Sequence, residues 1–346
     1  MKLNFLFVVV ELVFIISCDE IEDRCNFLDS KLQPNTFRLL SKAIVPDKIG
    51  KVKGDAGKIG VIGGSIEYTG APYFSAITSL KVGGDLAYVI TTESAAYVIK
   101  TYSPDLIVYP YLSPKYASKI SSLLPKMDVV VIGPGLGREP DTIQLISDVI
   151  EDCRRLKKPL VIDADGLFAI SKNTSLIKDY PCPGVIMTPN LREANRLMEA
   201  VSKNDSNWYN YWGNCVAVLV KGDKDQFYTN MTSYSWTATG GGSSRRVGGQ
   251  GDILSGALGT FYHWALNKEL CEHESRTQLA QSVAAYAAAK ITRMSNYKAY
   301  LIYGQSTLAS DMINQIHSAF ESTFSLGSTS SSVSDCNNVN ANTTYY

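Results

Sequence analysis

The chain has 346 residues, 45% of them hydrophobic, and its 33 Lys and Arg balance its 33 Asp and Glu. That length buries one large core or two ordinary ones, and the zero net charge leaves no global field to draw in nucleic acid or an anionic membrane. The seven cysteines are scattered, odd in number and never arranged as CxxC, which argues against a disulfide framework and against a zinc site.

In chain order, Lys2 precedes a mostly apolar run over 3–17 that stops at Asp19-Glu20. The run is too short to span a bilayer and has the character of a secretory signal's apolar region, although Asn4 and Glu11 interrupt it. Residues 1–36 are therefore read as a leader outside the fold. A cytoplasmic protein is the default, with secretory or organellar import as the alternative. No second apolar stretch is long enough to cross a membrane.

Residues 37–326 read as one domain. Segment 58–62 (KIGVI) predicts a strand that ends at Gly63-Gly64-Ser65, and 71–82 predicts a helix with Pro72 in its first turn. Segments 85–91, 128–133, 159–163, 185–188 and 216–221 repeat the strand character, each a short β-branched run apolar on both faces, as buried parallel strands are. Helical stretches such as 141–157 and 191–201 fall between them. Segment 226–236 predicts a hairpin, and everything after Gly251 predicts helix, with an Ala-rich, closely packed helix over 282–293. His263 falls in one of these apolar helical stretches as a packed residue, and the three histidines show no metal-ligand spacing. The fold class is a doubly wound, mostly parallel α/β sheet with helices on both faces. Residues 327–346, rich in Ser, Asn and Thr, predict a disordered tail.

Ligands of such sheets bind beyond the carboxyl ends of the strands. Gly63-Gly64-Ser65, Gly133-Pro134-Gly135-Leu136-Gly137, Asp163-Ala164-Asp165-Gly166, Thr188-Pro189-Asn190 and Lys221-Gly222-Asp223 all follow predicted strands directly, and five such loops outline a site. The sharpest signal lies further on, at Gly248-Gly249-Gln250-Gly251-Asp252. Glycines let backbone N–H groups converge at a helix N-terminus, where the dipole also favours an anion. A carboxylate at the mouth of that cradle is unfavourable unless it takes a proton from a hydroxyl while phosphate charge is held beside it. The plainer alternative makes Asp252 a helix cap in a flexible loop. Upstream, Gly240-Gly241-Gly242-Ser243-Ser244-Arg245-Arg246 adds two guanidinium groups. No P-loop and no G-x-S-x-G elbow is present, and Gly133–Gly137 lacks the third glycine spacing and the downstream acid of a dinucleotide fingerprint.

These residues resemble the ribokinase-like superfamily and, more closely, the NAD(P)H-hydrate dehydratases. The resemblance is carried by Glu67-Tyr68-Thr69-Gly70-Ala71-Pro72-Tyr73-Phe74, by Ile99-Lys100-Thr101-Tyr102-Ser103-Pro104, by Gly133 to Arg138, by Val161-Ile162-Asp163-Ala164-Asp165-Gly166, by Thr188-Pro189-Asn190, and by Arg245-Arg246-Val247-Gly248-Gly249-Gln250-Gly251-Asp252. It spans about residues 45 to 305. Val247 stands where many eukaryotic members have Cys, and Ser65-Ile66 replace other small or polar residues; neither side chain is needed for the chemistry.

The resemblance implies ATP-dependent dehydration of the S epimer of NADH hydrate and NADPH hydrate, a nicotinamide-nucleotide repair reaction, with Mg²⁺ and with ATP as co-substrate. It implies Asp252 as the catalytic base. It places Gly137 and Asn190, Leu191, Arg192, Glu193, Ala194, Asn195 and Arg196 against the hydrated dinucleotide. It places Lys221, Gly222, Asp223, Lys224 and Asp225, with Gly242, Ser243, Ser244, Arg245, Arg246, Val247, Gly248, Gly249, Gln250 and Gly251, on ATP. The epimerase that supplies the S form would be a separate protein, no nucleic acid or membrane partner is implied, and a homo-oligomer is compatible. Several residues keep a structural alternative: Asp163 and Asp165 as strand-end and cap or as substrate or Mg²⁺ contacts, Lys221 as a solvated strand end, Tyr68 and Tyr73 as packing or stacking groups, and Asn190 as a helix cap. The rival function is a vitamin-alcohol kinase of the same fold.

Overall fold

The computed structural model describes residues 34–46, 52–201, 207–238, 241–270 and 276–324. The expected tail and nearly all of the expected leader lie outside these residues. The described chain overlaps the leader only at 34–36, which open a helix packed on the core.

The strands are β1 (Lys58–Ile62), β2 (Leu86–Ile90), β3 (Ile107–Tyr109), β4 (Val129–Ile132), β5 (Leu160–Ile162), β6 (Val185–Met187), β7 (Val216–Val220), β8 (Asp225–Tyr228) and β9 (Trp236–Ala238). They form a nine-stranded sheet in the order β3-β2-β1-β4-β5-β6-β7-β8-β9. All pairings from β3 through β7 are parallel, and β8 and β9 add an antiparallel edge. The helices are α1 (Pro34–Ala43), α2 (Gly70–Val82), α3 (Glu93–Tyr102), α4 (Ala117–Leu123), α5 (Pro140–Arg155), α6 (Ala164–Lys172), α7 (Leu191–Ala200), α8 (Gln250–Leu266), α9 (Arg276–Tyr303), α10 (Ala309–Asn314) and α11 (Ile316–Phe324).

The β-branched strands are buried on both faces because both faces carry helices. Successive strand side chains point opposite ways, so Val129 and Val131 enter one core while Val130 and Ile132 enter the other. The first core takes residues from α1, α2, α3, α8, α9, α10 and α11; the second takes residues from α4, α5, α6 and α7. Helices α2 and α8 meet with no room to spare. A methyl group at Gly256 would run into the backbone of Ser75.

The doubly wound sheet, the six parallel strands at 58–62 through 216–221 and the hairpin all stand, with β8 and β9 forming the hairpin's arms. Strand β3 was not anticipated. It is three residues at the sheet edge, and among the described residues it pairs with β2 alone. The reading of the cysteines needs correction: Cys182 and Cys215 form a disulfide, with Cα atoms 5.3 Å apart. They lie 33 positions apart in sequence, so no local spacing betrays them. They meet because β6 and β7 run side by side and both cysteines precede their strands. Among the described residues, no helix is long and apolar enough to cross a membrane.

Candidate functional site

The site begins where β5 and β7 end. Asp163 follows β5, is 1% exposed, and accepts a hydrogen bond from the Ala164 N–H at 2.9 Å, so it does cap α6. Lys221 follows β7, and its Nζ donates to Asp163 Oδ1 at 2.7 Å. It is not a solvated strand end: its side chain is 19% exposed. The N-terminal turn of α8 sits on this pair, since a Cβ on Gly251 would stand 3.1 Å from Lys221 Nζ and 3.9 Å from Asp163 Oδ2. The residue that caps α8 is Gly249, with φ of 91° in the left-handed region that favours glycine. Asp252 is therefore not the cap. It lies inside the first turn, carried there by the glycine turn.

Burial and then the negative charge of Asp163 push the Asp252 carboxyl up to about 8, while Lys221 pulls the other way. Burial opposes the Lys221 ammonium, but Asp163, Glu193 and Asp252 outweigh it and hold its pKa above the ordinary value. Burial also raises Glu193, against the pull of Lys221. One ammonium thus sits among three carboxylates, of which Asp252 is the one placed at the helix mouth. Its carboxyl becomes a proton acceptor as pH climbs through about 8.

On the β7–β8 side, Lys221, Gly222, Arg246, Gln250, Gly251 and Arg293 line a cleft of about 380 Å³. Arg293 was missed from the sequence. Its Nε contacts Asp225 Oδ2 at 2.7 Å with both side chains 7% exposed, and its Nη2 donates to the Gly222 carbonyl at 2.8 Å. Asp225 also accepts from the Gly222 N–H at 3.1 Å, so it braces the loop from within. Asn296 on α9 pins the upstream glycine loop: its Oδ1 accepts from Ser243 N at 2.7 Å and from Ser243 Oγ at 2.8 Å, and its Nδ2 donates to the Arg245 carbonyl at 3.2 Å. Arg246 is exposed and paired with exposed Asp223. Ser244, Lys224 and Gly248 are exposed, and Val247 lines the cleft. Arg245 Nε and Gln250 Oε1 are buried without a hydrogen-bond partner among the described residues.

On the β4–β6 side, the Gly137 N–H donates to Asp165 Oδ2 at 3.1 Å, and Arg138 Nε contacts Asp165 Oδ1 at 2.8 Å. Asn190 does cap α7, in a capping box with Glu193, and it bridges to Lys221. Leu191, Arg192 and Asn195 are exposed on the rim, whereas Ala194 is buried in the second core and faces no ligand space. Tyr73 packs against Phe74 and Tyr102; Tyr68 is exposed.

A larger cleft of about 460 Å³ lies by β8 and β9, walled by Phe37, Tyr209, Tyr228, Trp236 and Tyr286. It has no charged lining residue, so the chemistry stays with the smaller one. His263 is packed, its Nε2 within 3.0 Å of the Asp55 carbonyl.

A family profile described as NAD(P)H-hydrate dehydratase matches residues 59–315. The chain belongs to the NAD(P)H-hydrate dehydratase family. An ATP-dependent (S)-NAD(P)H-hydrate dehydratase of Aedes aegypti is 46% identical over 297 residues, covering 85% of this chain and 87% of that protein. A solved ribokinase-like superfamily protein of Enterococcus faecalis aligns with TM-score 0.65 at 18% identity, over 83% of this chain and 94% of its own. The ADP/ATP-dependent NAD(P)H-hydrate dehydratase of Bacillus subtilis, co-crystallized with ATP/Mg²⁺ and soaked with CoA, aligns with TM-score 0.58 at 18% identity, over 83% and 97%. These two likenesses establish the ribokinase-like fold. The NAD(P)H-hydrate dehydratase match takes in Asp163, Lys221, Asp252 and Arg293 alike.

Proposed function

We propose that this chain uses ATP to dehydrate the S epimer of NADH hydrate and NADPH hydrate, returning NADH and NADPH and releasing ADP and phosphate. The observation that carries this reading is the partly buried Asp252 in the first turn of α8, behind a glycine cap and beside the Lys221–Asp163 pair. Its support from relatives is the identity with ATP-dependent (S)-NAD(P)H-hydrate dehydratases over most of the chain.

Hydroxide leaves poorly, so the hydroxyl is first phosphorylated. Asp252 takes the C6 hydroxyl proton as that oxygen attacks the γ-phosphorus, the bond to the β-phosphate oxygen breaks, and ADP departs. The ring nitrogen lone pair then expels phosphate, and loss of a proton from the adjacent carbon restores the ring double bond. Backbone N–H groups of Gly248, Gly249 and Gly251 hold the phosphoryl oxygens. Magnesium, when bound, neutralises phosphate charge. The carboxylates that could meet such an ion are Asp163 and Glu193, both facing Lys221. The S epimer would come from a separate epimerase.

The test is absorbance in the reduced-nicotinamide band when purified protein meets hydrated NADH, ATP and Mg²⁺. Recovery of absorbance supports the reading. No recovery, together with phosphorylation of a vitamin alcohol, would favour the kinase, for which the same base and cradle would serve.

A further inference from the structure

Asn173-Thr174-Ser175 carries the Asn-x-Ser/Thr pattern that accepts an N-linked glycan, with no proline in the middle. Asn173 is exposed and joins the end of α6 to a short turn over Thr174–Ile177. Its Oδ1 accepts from the Ser175 N–H at 3.2 Å and from Ser175 Oγ at 2.6 Å. Its Nδ2, the atom that a sugar would take, has no hydrogen-bond partner among the described residues. Asn230-Met231-Thr232 repeats the pattern in a tighter place. Asn230 is half-buried, and its Nδ2 donates to Asn214 Oδ1 at 2.9 Å, so a sugar there would displace a neighbour.

A glycan is bulky and stays in water, so the fold must leave room for it. Helix α6 starts beyond the end of β5, beside the site, and runs back along the sheet to the opposite face. There the Thr174 carbonyl accepts from Trp212 Nε1 at 3.0 Å, and the Thr174 hydroxyl meets the Tyr211 hydroxyl at 3.1 Å. Both aromatics precede β7, on the face that holds the Cys182–Cys215 bond. A glycan on Asn173 therefore leaves the cleft beside Lys221 and Asp252 open.

The cysteines agree with passage through an oxidising compartment. Cys182 and Cys215 are bonded, and disulfides persist where the surroundings oxidise. Cys153, the free thiol among the described residues, is buried, and burial pushes its pKa up to about 12, which keeps it from reacting. The apolar run over 3–17, with the character of a secretory signal, supplies the route.

We propose that Asn173 carries an N-linked glycan, added as the chain enters the secretory lumen. The donor is an oligosaccharide carried on a lipid diphosphate. The Nδ2 nitrogen attacks C1 of the first sugar and gives up one proton. The bond from C1 to the diphosphate oxygen breaks, and the lipid diphosphate leaves with that electron pair.

The experiment translates the full chain in vitro with and without endoplasmic-reticulum membranes, as wild type, Asn173→Gln, Ser175→Ala and Ser175→Thr. Wild type should gain mass only with membranes, and a peptide N-glycosidase should remove the gain and leave Asp at position 173. Asn173→Gln and Ser175→Ala should each lose the mass of one glycan, while Ser175→Thr keeps it. Transfer precedes folding, so a variant that folds poorly still reports on the site. The same pattern at Asn204 and Asn342 lies outside the described residues, and a glycan on either would remain in every variant. No glycosidase-sensitive mass in wild type overturns the proposal. A gain that Asn173→Gln leaves whole overturns it too and assigns the glycan to another asparagine.

Discussion

Lys221 Nζ and Asp163 Oδ1 stand 2.7 Å apart although 58 positions separate them in the chain. The ammonium is therefore already engaged by the protein, next to the turn that carries Asp252. Its first task is to set the charge around the base.

Removing that ammonium is expected to be costly. Lys221→Met leaves Asp163 buried with no cation, a change worth about 3–5 kcal/mol for buried pairs. Urea denaturation measures it. A loss below about 1 kcal/mol, the range of exposed pairs, would show that water reaches Asp163 freely.

Asp252→Asn keeps shape but cannot accept the hydroxyl proton. Turnover should fall on the order of 10²–10⁴-fold while the Kd for ATP holds. Turnover within a few-fold of wild type would send the proton elsewhere, with Asp163 and Asp165 next to be tested.

The pH profile follows from the same carboxyl. With its pKa pushed up to about 8, Asp252 in the free enzyme is protonated below that point and becomes a base above it. kcat/KM should therefore rise with pH through about 8. The linkage runs the other way for folding. The folded pKa lies above the ordinary 3.8, so the native state binds the extra proton, and this group's contribution to stability is lost as pH climbs from 3.8 through about 8. In Asp252→Asn that part of the pH dependence should vanish. A profile flat between pH 6 and 9 in wild type would mean that Asp252 is not the titrating base.

The Cys182–Cys215 bond joins the starting ends of β6 and β7, whereas Asp163, Asn190 and Lys221 follow strand ends. Cys182→Ser should therefore lower stability by about 2–4 kcal/mol and leave kcat and both KM values unaltered. Thermal melts and steady-state rates check the two halves. A fall in kcat at unchanged fold would show coupling through the sheet.

The sequence revealed the parallel strands because each is a β-branched run bounded by glycine or polar residues, as at Val129–Ile132. Strand β3 stayed hidden because three edge residues are too few for a period to register. Among the site residues, Asp252 was legible because its glycine neighbours are contiguous in the chain. Arg293 and Asn296 were not: each reads locally as part of a long packed helix, and only the fold brings α9 over the loops at Gly222 and Ser243. A charged residue ending an Ala-rich buried stretch was the available signal. Asp163 and Asn190 show that cap and site roles coexist, since each caps a helix and also meets Lys221.

Gly256, pressed on the Ser75 backbone, welds together the helices that carry Ala71-Pro72-Tyr73-Phe74 and Gln250-Gly251-Asp252. A hinge between those two motifs has no space in which to turn, so any opening of the site must come from other elements. It also means that neither motif is a portable module. A chimera that imports one helix from a distant relative and keeps the other here must match their contact surface, and Gly256→Ala alone should separate them at a cost of about 1–3 kcal/mol.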